Sequence, residues 1–219
     1  MKSIEKVAVV KCNSYKQLEV DNAIENSLEL IDFKFKKGMK VLIKPNVVGI
    51  FPKKQIACTT NPAIIEAVCK ILKKNKCKIF VGDSPFTNPE NSFKASGIEK
   101  IARKYGKLMI FEQEKLIKIK DKKAKILKEF EIAKIIKEVD LIIDMPKLKT
   151  HVLTKYTGAI KNLYGCIPGG LKQKTHLQGK GDENFSKILV DIYQNIKPQL
   201  TIMDAVIGMD GEGPTSGNP

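Results

Sequence analysis

Apolar and polar residues follow one another in a recurring order of a short apolar stretch, a polar break and an amphipathic stretch. This pattern predicts strands at 6–12, 39–46, 77–83, 107–112, 140–146 and 199–208. It predicts helices at 19–31, 59–74, 95–106, 130–139 and 183–196, with a charged peripheral hairpin at 113–130. Alternating strands and helices favour an α/β fold, an open and mostly parallel sheet with helices on both faces.

Two segments carry the strongest signals. In "TTNPAIIEAVCKILKK" (59–74), Asn61 can cap a helix whose first position suits Pro62, and the apolar residues recur at helical spacing. In "DLIIDMP" (140–146), the unbroken apolar run is typical of a parallel strand that is covered on both faces.

The length and composition bound the class of protein. The 219 residues, 42% apolar and 29% charged, suit one soluble α/β domain over 1–219. No apolar run approaches the roughly eighteen residues of a membrane span, and the N-terminus resembles a first strand more than a signal peptide. These features predict a cytoplasmic protein without a membrane partner. The glycine-rich end "GMDGEGPTSGNP" has no helix after it, which favours a domain that continues beyond residue 219 over a tail that folds across a site.

The five cysteines exclude two classes of site. Their number is odd and they contain no C-x-x-C pair, which argues against a disulfide framework and against a zinc or iron-sulfur site within this chain. We expect most of them to be buried as small apolar side chains.

The net charge of +15 raises the possibility of nucleic-acid binding. The lysines are spread along the chain and are densest in "IKIKDKKAKILKEFEIAK" (117–134), and no helix-turn-helix or RNA-recognition signature is present. A solvated lysine-rich surface is therefore the favoured interpretation, and nucleic-acid binding ranks third among the functional hypotheses.

Polar residues follow the predicted strands at their carboxyl ends, where open parallel sheets bind ligands. They are Lys44 and Asn46, Asp83 and Ser84, Asp144 with Lys147, Lys149 and His151 after it, and Asp204. The sequence therefore predicts a polar site at one edge of the sheet. Each member also has a purely structural interpretation, since Asp83 and Ser84 could form a turn and a helix cap, and Asp204 could pair locally.

The segment after 140–146 adds further candidates. "TGAIKNLYG" (157–165) places small residues before Lys161 and Asn162, so a helix beginning here could bind an anion. The following "GCIPGGLKQKTH" predicts a flexible glycine loop with Lys172 and His176. His151 and His176 permit a metal site, but their separation fits no compact ligand motif, and His151 could equally act as a general base.

Five stretches together resemble domain-of-unknown-function family 362, in order and over nearly the whole chain. They are "VLIKPNVV", "TTNPAIIEAV", "VGDSPF", "LIIDMPKLKTHVLTKYTGAIKNLYGCIPG" and "IMDAVIGMDGEGPTSGNP". The resemblance implies an α/β domain that often accompanies a ferredoxin-like segment with two four-iron, four-sulfur clusters. This chain lacks the cysteine run of that segment, so any such cluster would be ligated outside it. The layout is also distantly similar to the N-terminal part of nickel-pincer lactate racemases, whose catalytic residues do not match one by one.

The leading functional hypothesis is an enzyme, or the larger part of one, that binds a small anionic substrate at the sheet edge. Lysine suits carboxylate or phosphate oxygens as a compact charge. The substrate-binding candidates are Lys44, Asn46, Ser84, Lys147, Lys149, Lys161 and Asn162. The candidates for proton transfer or for holding a cation are Asp83, His151 and Asp204. The alternative is a redox-associated module that works with an iron-sulfur domain or protein outside this chain.

Overall fold

The computed structural model describes residues 5–51, 55–179 and 181–219, without the side chains of 55, 173 and 176–178. The side chain of His176, one of the two histidines considered for a metal site, therefore lies outside the described residues. The main sheet is five-stranded and parallel throughout, with the strand order β3-β2-β1-β6-β9. These strands are β1 (Lys40–Pro45), β2 (Lys78–Asp83), β3 (Lys107–Ile110), β6 (Leu141–Met145) and β9 (Leu200–Thr201). The predicted α/β class is confirmed.

Helices cover both faces of this sheet because successive strand residues point to opposite sides. Val41 and Ile43 contribute to a core formed with α1 (Gln17–Leu30), α3 (Pro62–Lys74) and α5 (Ile98–Tyr105), while Leu42 contributes to a second core with α9 (Asp182–Ile196). The predicted cap of α3 is present, since the Asn61 side chain accepts a 2.9 Å hydrogen bond from the Ala63 amide.

A smaller sheet continues the chain beyond β6. Its order is β10-β7-β8, formed by β7 (Lys147–His151), β8 (Lys155–Thr157) and β10 (Asp204–Met209). The predicted strand at 199–208 is thus divided between two sheets, with β9 in the main sheet and β10 beside β7. The remaining helices are α2 (Gln55–Cys58), α4 (Pro89–Ala95), α6 (Ile135–Glu138), α7 (Ala159–Asn162) and α8 (Gly169–Gln178).

The predicted hairpin exists, and it extends into a region that was predicted as helix. Strands β4 (Leu116–Lys120) and β5 (Glu129–Ala133) pair antiparallel. The helix predicted at 130–139 is therefore wrong in its first half. Phe130 and Ile132 are buried while Glu129 is exposed, which is the period-two pattern of a strand, and only α6 is helical.

Two further predictions are wrong. Residues 6–12 form no strand. A strand needs a paired backbone, and this valine-rich stretch has no strand partner among the described residues. Val7 and Val9 are accordingly 87% and 92% exposed. The flexible glycine loop predicted at 165–176 is mostly helical, since α8 begins at Gly169 directly after Pro168. As expected, four of the five cysteines are buried.

Candidate functional site

The carboxyl ends of three neighbouring strands place charged side chains together below the protein surface. Lys44 of β1 and Asp144 of β6 are paired in register, and Asp83 ends β2 on the other side of β1. The Lys44 Nζ lies 2.8 Å from the Asp83 Oδ1, and both side chains are almost completely buried. The other Asp83 oxygen, Oδ2, accepts a 2.8 Å hydrogen bond from the Val47 amide. The sheet edge therefore has a buried ion pair at its centre.

The Asn162 amide connects this ion pair to the third strand end. Its Oδ1 accepts hydrogen bonds from the Lys44 Nζ at 3.2 Å and from the Asn46 Nδ2 at 3.0 Å. Its Nδ2 donates to the Asp144 Oδ1 at 2.7 Å and to the Lys44 carbonyl oxygen at 3.2 Å. Asn162 ends α7, which is only four residues long, so this side chain and not a helix dipole provides the polar contact.

Asp144 is the most perturbed carboxyl group of the cluster. It is completely buried, and its Oδ2 has no hydrogen-bond partner among the described residues. Burial raises the pKa of the Asp144 carboxyl to about 7, against the opposing effects of Lys44 and of the hydrogen bond from Asn162. This carboxyl group can therefore gain or lose a proton near neutral pH. The sequence places Asp144 among the polar residues expected at the sheet edge, but its pattern gives no reason to prefer it over Asp83 for proton transfer.

Gly165 brings a turn of the chain onto the Lys44–Asp83 pair. The turn comprises Leu163–Cys166 and follows α7 directly. A Cβ atom at Gly165 would lie 2.2 Å from the Asp83 Oδ1 and 2.8 Å from the Lys44 Nζ. Only glycine therefore allows this close approach of the backbone.

A group of three lysines makes no ion pair with any described carboxylate: Lys149, Lys161 and Lys172. The Lys149 Nζ is buried and donates a 2.6 Å hydrogen bond to the Cys58 carbonyl oxygen. Burial and then the nearby Lys161 lower the pKa of Lys149 to about 7, although Cys58 acts in the opposite direction. Burial and then Lys172 lower the pKa of Lys161 to about 8. Like charges of this cluster therefore act on one another.

Lys172 lies on α8 and contacts the end of β2. Its Nζ donates to the Ser84 Oγ at 2.7 Å and also to the Ser84 carbonyl oxygen, and burial lowers its pKa. The Ser84 Oγ in turn donates to the Glu112 Oε1, while the Glu112 Oε2 has no hydrogen-bond partner among the described atoms. Glu112 was not predicted as a site residue, because nothing in its local sequence indicates that it approaches Ser84.

Lys147 and Asp204 lie in a separate, fully paired network. The Asp204 Oδ2 accepts from the Lys147 Nζ and from the Asn61 amide, each at 2.9 Å, and its Oδ1 accepts from the Tyr15 hydroxyl at 2.7 Å. The Lys147 Nζ also donates to the Tyr15 hydroxyl at 2.7 Å. Because every one of these groups has a partner, the network holds β7 against β10 and the N-terminal segment.

His151 lies at the far end of β7 from Lys147 and adjoins the turn into β8. Its Nδ1 accepts hydrogen bonds from the Leu153 amide at 3.1 Å and from the Thr154 amide at 3.4 Å. These contacts stabilise the β7–β8 turn and require an unprotonated Nδ1. The roles predicted for His151 and Asp204 in proton transfer stay predictions.

The structure thus brings most of the predicted residues to one edge of the sheet: Lys44, Asn46, Asp83, Ser84, Lys149, Lys161 and Asn162. Among the described residues, no group of three or more His, Cys, Asp and Glu side chains is placed to hold a metal ion. In the same part of the chain, no helix combines the length and apolar character that crossing a bilayer requires.

The fold and the site together define an open α/β protein with a buried polar cluster at the carboxyl edge of its parallel sheet. The chain belongs to the family described as Domain of unknown function (DUF362), whose model matches residues 41–219.

The chain is also similar to individual proteins. A thylakoid-associated protein of Synechocystis sp. is 29% identical over 192 residues, which are 84% of this chain and 57% of the relative. A crystal structure of a protein from Thermotoga maritima has a TM-score of 0.59 at 12% identity, over 90% of this chain and 52% of that one. The lactate racemase apoprotein of Thermoanaerobacterium thermosaccharolyticum has a TM-score of 0.54 at 15% identity, over 91% and 51%. The last two similarities show a shared fold, and this chain spans about half the length of the proteins it matches.

Proposed function

We propose that this chain is an enzyme, or the larger part of one, that binds a small anionic substrate with a carboxylate or phosphate group. The observation that carries the proposal is the cluster of Lys149, Lys161 and Lys172, which has no carboxylate partner among the described residues. Neighbouring ammonium groups repel one another, and an anion between them would remove that repulsion and raise their lowered pKa values. Since one protein of this fold is a lactate racemase, the fold can accommodate a small carboxylate.

The contacts suggest a division of roles within the predicted site. The positive charge of Lys44 is matched by Asp83, so Lys44 and Asn162 would shape the site more than bind its ligand. Lys161 and Lys172, which have no carboxylate partner among the described residues, would bind the anion. Among the carboxyl groups at the sheet edge, Asp144 is the best suited to proton transfer, because its pKa of about 7 allows both states near neutrality. The redox alternative gains no support from the described residues and stays a prediction.

Calorimetric titration of the purified protein with inorganic phosphate or oxalate at pH 7 tests the proposal. Removing one charged contact in Lys161→Met or Lys172→Met should weaken binding by about tenfold or more, since such a contact contributes roughly 1.5–3 kcal/mol. Lys174→Met is the matched control for Lys172→Met, because Lys174 lies on the same helix with an exposed side chain. Its affinity should equal that of the wild type.

The pH dependence provides a second criterion. Protonated Lys161 and Lys172 bind the anion, so affinity for oxalate, whose own charge is constant in this range, should be highest at pH 6 and should fall as the pH rises through the pKa of Lys161, about 8. Absence of anion binding by the wild type, or an equal loss in Lys174→Met, would contradict the proposal.

A further inference from the structure

Lys149 differs from the other buried lysines in what surrounds its amino group. The side chains of Lys44, Lys147 and Lys149 are all at most 2% exposed. The Lys44 Nζ pairs with Asp83 at 2.8 Å and the Lys147 Nζ pairs with Asp204 at 2.9 Å. The Lys149 Nζ has only the Cys58 carbonyl oxygen, at 2.6 Å, within the part of the chain that the structure describes.

This difference determines the protonation state of Lys149. An ammonium group without a counterion is costly to bury, and it avoids that cost by losing its proton. Two lysines, Lys161 and Lys147, oppose a further positive charge. Two groups favour it, Cys58 and then Asp83, of which Asp83 is already paired with Lys44, and burial outweighs both. The Lys149 side chain is therefore the buried lysine whose neutral amine form is best supported.

A neutral amine is a nucleophile, and the placement of Lys149 gives it a use. Lysines become nucleophilic when they are desolvated or lie beside another cationic group, and they then form Schiff bases with carbonyl compounds. Lys149 meets both conditions: it is buried in β7 of the smaller sheet, and it lies close enough to Lys161 and to Asp83 at the carboxyl edge of the main sheet for their charges to act on it. Its one hydrogen bond is donated through an N–H, so the lone pair of the neutral nitrogen is left for attack.

We propose that Lys149 forms an imine with a small 2-oxo acid whose carboxylate is bound by Lys161 and Lys172. This rests on the proposed anion site and adds the class of substrate. The Lys149 nitrogen attacks the carbonyl carbon and forms a carbinolamine. Loss of water then breaks the bond from carbon to oxygen and forms the C=N bond, so that the nitrogen gives up both hydrogens as part of the water released. No oxidant or reductant is consumed.

The expected preference of a 2-oxo acid for Lys149 over other lysines follows from the fraction of each side chain that is a neutral amine. With a pKa of about 7, half of the Lys149 side chains are uncharged at pH 7. A lysine at the ordinary value of 10.5 is uncharged in roughly one molecule in 3,000 at that pH. Lys149 should therefore react far ahead of exposed lysines, even though it is buried.

Reductive trapping tests the inference. The purified protein is incubated at pH 7 with pyruvate or glyoxylate and sodium cyanoborohydride, and the modified lysine is located by peptide mass mapping. We expect one reduced adduct per chain, at Lys149, with at least a tenfold excess over the exposed Lys174. Lys149→Arg keeps a positive charge without a nucleophile and should lose the adduct, and Lys161→Met should slow its formation while Lys149 remains in place.

The outcomes separate this inference from the proposal on which it rests. An adduct absent from Lys149, or spread over the exposed lysines, in a protein that still binds phosphate would overturn the imine and leave the anion site intact. Failure to bind phosphate together with absence of the adduct would overturn both. Trapping at Lys161 or Lys172 in preference to Lys149 would also overturn the imine as stated.

Discussion

Replacing Lys44 by methionine should destabilise the protein strongly, because it removes one member of a buried ion pair. The Lys44 Nζ lies 2.8 Å from the Asp83 Oδ1 and donates to the Pro45 carbonyl oxygen at 2.8 Å and the Asn162 Oδ1 at 3.2 Å. Methionine has a similar length and preserves most of the packing. The substitution therefore removes a charge and its hydrogen bonds without leaving a large cavity.

The magnitude follows from the burial of both partners. Breaking a buried ion pair by removing one side typically costs about 3–5 kcal/mol, because the other charge stays buried without compensation. Asp83 keeps hydrogen bonds from the Val47 and Ser84 amides, each at 2.8 Å, which places the expected loss near the lower end, about 3 kcal/mol. That is a large part of the 5–15 kcal/mol that stabilises a typical domain.

Urea unfolding of Lys44→Met, Asp83→Asn and the double variant measures this effect. The double variant should lose less stability than the sum of the single losses, because each single change leaves the other partner unpaired. Lys187→Met is the control: its ion pair with Glu183 is solvent-exposed on a helix and should contribute no more than about 0.5 kcal/mol. A loss below about 1 kcal/mol in Lys44→Met, or strictly additive losses, would refute the reasoning.

Two further predictions concern the same cluster. Burial raises the pKa of Asp144 from 3.8 to about 7, so the protonated carboxyl group favours the folded state, and the free energy of unfolding should decline as the pH rises from about 4 to 7. The Asp144→Asn variant should lack this decline. Equal pH slopes of the unfolding free energies of the wild type and the variant would contradict the shift. Gly165→Ala should cost about 1–3 kcal/mol in urea unfolding, because its Cβ would lie 2.2 Å from the Asp83 Oδ1, whereas Gly170→Ala, with open space at the Cβ, should cost nothing. Equal losses in the two glycine variants would exclude the steric explanation.

The sequence was sufficient to predict which polar residues lie together at the sheet edge, because parallel strands impose a simple geometry. Their carboxyl ends meet at one edge, so the polar residues after buried strands were expected to lie together. Lys44 and Asp83 do so because β1 and β2 are adjacent in the sheet. The strand order, which sequence patterns do not provide, decides which of these residues touch.

The contacts that the sequence pattern could not predict join residues that are far apart in the chain. The pKa of Asp144 is raised because the fold buries its carboxyl group completely, and the hydrogen bond from Asn162, which is distant in the chain, only reduces that shift. Lys172 reaches Ser84 because residues after Pro168 form a helix where the glycines suggested a loop. The stretch at 130–139 was ambiguous for a local reason, since its apolar residues satisfy strand spacing first and helix spacing afterwards.

The buried lysines that have a carboxylate partner differ in their expected role from the one that has none among the described residues. A fold gains nothing from burying an ammonium group unless a counterion accompanies it, and Lys44 and Lys147 satisfy that requirement through Asp83 and Asp204. Lys149 has no carboxylate partner in the described part of the chain, although it lies on the same strand as Lys147 and only two residues away. A side chain needed only for stability at that position would be better replaced by leucine or methionine. The proposed imine would give this buried amine a role, and the Lys149→Arg variant tests that proposal directly.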